Sequence, residues 1–118
     1  MRMLAGVALA LGLVSSSALA DEIEDTYRQA LQGRNSYWNC LAREYTQDRL
    51  KTMSPQDFTA DIASACPSER QNFRVTLLDH LSMRSADTDA NLDAANRAIE
   101  LAQRDIVTAF VRRKTAPN

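Results

Sequence analysis

Beyond residue 20, this chain of 118 residues holds a single glycine, Gly33, and its apolar residues recur at steps of three and four. That spacing keeps side chains on one face of an α-helix. So little glycine leaves few places for the tight turns that strands need. The one short apolar cluster, Val75 to Leu78, lies inside a helical stripe. The expected fold class is therefore all-α.

Three stripes can be traced. The first runs Ile23, Tyr27, Ala30/Leu31, Arg34, Tyr37/Trp38, Leu41 and Tyr45, and predicts a helix over 22–51. Asp21, Glu22, Glu24 and Asp25 complement the positive end of its dipole. Gly33, beside the polar interruption Arg34, is its expected weak point. The second stripe is Phe58, Ile62, Cys66, Phe73, Leu77 and Leu81, with Glu69 filling one step. Ser54 can cap it, with Pro55 in the first turn and Asp57 just behind. Pro67 removes a backbone donor and crowds the preceding turn. Either the helix runs on with a kink or it stops at Ala65 and restarts at Pro67; two kinked segments ending near Arg84 are expected. The third stripe is Leu92, Ala95, Ile99, Ala102, Ile106 and Ala109/Phe110. Asp87 or Thr88 should cap it, and Arg112, Arg113 and Lys114 suit its negative end. Alanine at alternate seam positions permits close packing, within the chain or against a second copy. Together these predict a small three-helix bundle, the second helix kinked or broken near Pro67.

The N-terminus reads as a secretory signal. Arg2 precedes an apolar run from Leu4 to Val14, followed by the small-residue site Ala18-Leu19-Ala20. Cleavage following Ala20 would release one domain, 21–118, into the periplasm or medium. The run is too short to cross a bilayer, which takes about 20 apolar residues. From Asp21 onward there are 39 hydrophobic residues, 13 of them alanine, which leaves a thin core.

An exported chain with two cysteines predicts a disulfide. Cys40 and Cys66 lie thirteen residues on either side of Met53, close to the bend between the first two helices. In an antiparallel hairpin they stand level. Closing that loop stabilises by about 3.5 kcal/mol through chain entropy. Their spacing matches neither C-x-x-C nor a zinc pattern, so no metal and no cofactor are expected.

No other constellation of residues assembles a reactive site. Asp87, Asp89, Asn91 and Asp93 fall at calcium-loop positions, but Leu92 replaces the required glycine and Ala98 the final glutamate. His80, the one histidine, neighbours Asp79 and precedes Ser82 by two residues, yet adjacent helical residues diverge by about 100°, so no triad results. Glu69 could meet Arg34 in an interior ion pair. Trp38 and Tyr45 share the expected inward face, while Tyr37 turns outward. Arg34 and Tyr37 thus form the candidate partner-binding patch, since aromatic and arginine side chains dominate interface energetics.

Fourteen basic residues against fifteen acidic give no basic excess for nucleic acid. With no nucleophile, base or phosphate cradle assembled, the expected role is non-enzymatic. The chain would act through contact with another envelope protein, as inhibitor, chaperone or complex subunit. In size and single-disulfide plan it resembles the small periplasmic acid-stress chaperones, although no sequence motif is shared. That resemblance implies the alternative of a holdase loosened when its carboxylates protonate.

Overall fold

The computed structural model describes residues 5–44 and 51–115, with side chains from Ala18 onward. Four helices and no strand occur among them: α1 (Ala5–Glu44), α2 (Pro55–Ser64), α3 (Pro67–Arg84) and α4 (Thr88–Thr115). The all-α class holds, but the count of three does not. The expected second helix is two helices, divided at Ala65 and Cys66. Ala65 is extended, and Cys66 takes the left-handed conformation with φ 53° and ψ 52°. Pro67 causes this. It disfavours right-handed helical geometry at the residue before it, and it suits the first turn of a new helix. A left-handed non-glycine residue costs about 1–2 kcal/mol. The Arg70 guanidinium donates to the Ala63 carbonyl and satisfies one acceptor that the break exposes.

Caps fix the other ends. Ser54 Oγ accepts from the Asp57 amide at 3.1 Å, and Asp87 Oδ1 accepts from the Ala90 amide at 3.1 Å. Asp87, not Thr88, therefore caps α4.

α1 lies antiparallel to α3. Tyr27 meets His80 at one end, Gly33 meets Phe73 and Thr76 midway, and Cys40 bonds Cys66 at the other. The hairpin partner of the first helix is thus α3, while α2 packs on α4. Phe58 and Phe110 stack there with centroids 4.0 Å apart. α4 runs back along both α2 and α3, joined to the latter through Arg74 and Asn96. Tyr37, Leu41, Phe58, Ile62, Phe73, Ile99, Ala102, Ile106 and Phe110 form one buried cluster. Ala95 and Ala102 of the alanine seam are buried within the chain. At the start of α4, Asn91 is buried in place of Leu92, and its side-chain amide donates to the Ser85 carbonyl at 3.1 Å.

α1 begins well before the bundle does. Side chains from Ala18 to Glu22 are exposed, and Thr26 reaches His80 of α3. No helix among the described residues is long and apolar enough to cross a membrane. Tyr45 and the expected helix end near residue 51 bracket a stretch, 45–50, outside the described residues.

Candidate functional site

Gly33 sets the rotation of α1. A Cβ there would lie 2.7 Å from Thr76 Oγ1 and 3.2 Å from Phe73 Cα, so only glycine lets the two helices approach this closely. With Gly33 against α3, the inward row of α1 is Ala30, Gly33, Tyr37 and Leu41. The neighbouring row, Tyr27, Leu31, Arg34 and Trp38, is turned to the edge.

Tyr37 is therefore not on the surface. Its exposure is 0%, its ring lies 6.3 Å from that of Phe73, and its hydroxyl accepts from Gln103 Nε2 at 3.0 Å. The expectation that Tyr37 turns outward fails, while Trp38, expected inward, is half-buried against the rim of the core. Arg34 is exposed, as a patch residue must be, but Tyr37 cannot share the patch. In its place stand Tyr27 and Leu31, exposed by 52% and 40%. Tyr27, Leu31, Arg34 and Trp38 follow one another at i, i+4, i+7 and i+11, a single ridge along α1. The clue lay in the sequence: a glycine within an apolar stripe marks close helix contact as readily as weakness.

Glu69 and Arg34 do not pair. Glu69 instead stands at the Cys40–Cys66 disulfide, whose Cα atoms are 6.2 Å apart. One Glu69 carboxylate oxygen and the two sulfurs lie within 4.8 Å of one another.

His80 is buried. Thr26 Oγ1 donates to the Ile23 carbonyl at 2.9 Å and stands 3.2 Å from His80 Nδ1. The Tyr27 ring covers the imidazole at 5.4 Å. Ser82 Oγ donates to the Asp79 backbone carbonyl. His80 thus meets Thr26 and Tyr27 of α1, while Ser82 engages only the Asp79 backbone carbonyl, so the three do not assemble.

A shallow polar groove runs between α3 and α4, lined by Arg70, Gln71, Arg74, Asn96, Glu100 and Gln103. Arg74 donates to Asn96 Oδ1 across it. Its walls carry both charge signs and little apolar surface. The α1 ridge, by contrast, combines exposed aromatic, aliphatic and guanidinium groups, the chemistry of interface anchors. A scan against protein-family models, a search of curated proteins and a search of solved structures each return no match to this chain.

Proposed function

We propose that this is a small exported, non-enzymatic helical protein that acts by binding another envelope protein along the ridge Tyr27–Leu31–Arg34–Trp38. The observation carrying this reading is the exposure of Tyr27 and Leu31 next to Arg34 on one edge of α1. Tyr and Leu supply apolar area that gains by leaving water, and Arg34 adds a planar donor for a carboxylate or carbonyl. Half-buried Trp38 ties the ridge to the core, so the surface is rigid before it binds.

Export is supported by the charged start, apolar run and small-residue site up to Ala20, with side chains exposed from Ala18 to Glu22. A disulfide joining α1 to α3 suits an oxidising compartment.

The test is a photo-reactive amino acid placed at position 31 in the producing cells, with position 82 on α3 as the control. A discrete heterologous adduct at 31, absent at 82 and suppressed by Arg34→Glu, is the expected result. Equal labelling at both positions, or none at 31, overturns the reading.

A further inference from the structure

Glu69 stands one helical turn beyond Cys66, and its carboxylate completes a three-donor corner with Cys40 Sγ and Cys66 Sγ, all within 4.8 Å. Zinc–sulfur bonds of about 2.3 Å and zinc–oxygen bonds of about 2.0–2.2 Å set tetrahedral ligand atoms roughly 3.5–3.8 Å apart. The three donor atoms already lie within 4.8 Å of one another, and the two cysteine Cα atoms are 6.2 Å apart. Cys40 and Glu69 are half-buried, so an ion has a route in. Cys66 is the N-cap of α3, where the helix dipole favours an anionic ligand.

We propose that reduction of the Cys40–Cys66 disulfide turns this corner into a site for a soft divalent transition-metal ion, zinc above all. Two thiolates and the Glu69 carboxylate hold the ion, and solvent fills the fourth position. A dithiol reductant supplies the electrons: its two sulfurs join, the Cys40–Cys66 bond breaks, and its two protons pass to the cysteine sulfurs. The incoming ion displaces those two protons. Thiolate donors select zinc or cobalt over calcium and magnesium, which prefer all-oxygen shells. Sequence spacing hides the site, because 26 residues separate the cysteines and the third donor is a carboxylate. The inference is independent of partner binding.

Cobaltous ion is the probe. The full chain is reduced anaerobically with a phosphine and titrated with cobalt, its helix content followed by circular dichroism. The expected result is a thiolate-to-cobalt charge-transfer band with tetrahedral visible bands, saturating at one ion per chain and reversed by zinc. Oxidised protein and the Cys40→Ser/Cys66→Ser variant should show no band. Glu69→Gln should weaken cobalt binding by about 10-fold or more, since losing even a group that only supports a ligand costs that much. No charge-transfer band in reduced, helical protein overturns the proposal. So does a band indifferent to Glu69→Gln, or a reduced chain that loses its helices and does not regain them with cobalt.

Discussion

Gly33 and Thr76 meet where α1 crosses α3, so closely that a Cβ on Gly33 would stand 2.7 Å from Thr76 Oγ1. Thr76 Oγ1 is itself held, donating to the Asn72 carbonyl at 2.9 Å. This contact orients α1, and with it the row of residues shown to solvent.

Gly33→Ala tests that contact. Alanine in a free helix would gain about 1 kcal/mol over glycine. Here the added methyl presses on Thr76 and on the Phe73 backbone, and overpacking of this kind costs about 1–3 kcal/mol. Urea unfolding should show net destabilisation, partly relieved when Thr76→Ala is added. A more stable Gly33→Ala protein would mean the helices do not cross there.

Tyr37→Phe separates a core role from a surface role. The variant keeps the ring packing but leaves Gln103 Nε2 without the phenol oxygen it reaches at 3.0 Å. A loss of about 1 kcal/mol in unfolding free energy is expected, with crosslinking from position 31 unchanged. Unaltered stability with lost crosslinking would return Tyr37 to the interface.

The stacked pair Phe58 and Phe110 anchors α2 to α4. Phe58→Ala should cost about 3–5 kcal/mol. Hydrogen exchange should find the amides of 55–64 the most affected. A double-mutant cycle with Phe110→Ala should give a coupling of about 0.5–1.5 kcal/mol. Full additivity would contradict the stacking.

Removing the disulfide by Cys40→Ser/Cys66→Ser should lower stability by about 3.5 kcal/mol, from the closed loop of 26 residues. The denaturant midpoint reads this directly. A change near zero would place the two helices together without help from the sulfurs.

Much of this architecture could be read from residue types alone. Ser54, Pro55 and Asp57 announced the start of α2 because capping is local chemistry. Cys40 and Cys66 could be paired because two cysteines in a chain read as exported predict one disulfide, whereas their equal distance from a bend near Met53 does not explain the pairing, since α2 packs on α4 and not along α1. The helix break was harder to read, since Ile62, Cys66, Glu69 and Phe73 keep helical phase across Pro67. Phase alone cannot report the left-handed turn at Cys66. The rotation of α1 is not legible from spacing. Tyr37 and Trp38 differ by about 100° around a helix, and either fits a three-or-four pattern. Close approach at Gly33 decided between them, and that is a tertiary fact. The convergence of Glu69 with the cysteines is tertiary too, although its place one turn after Cys66 was visible.

The most direct test of the account is the mass of the protein recovered from its own cells, alkylated under denaturing conditions without prior reduction. A chain running from Asp21 to Asn118, two hydrogens lighter than its dithiol form and carrying no alkyl group, is the predicted species. A chain still bearing its first twenty residues, or one alkylated at Cys40 and Cys66, would contradict an exported bundle braced between α1 and α3.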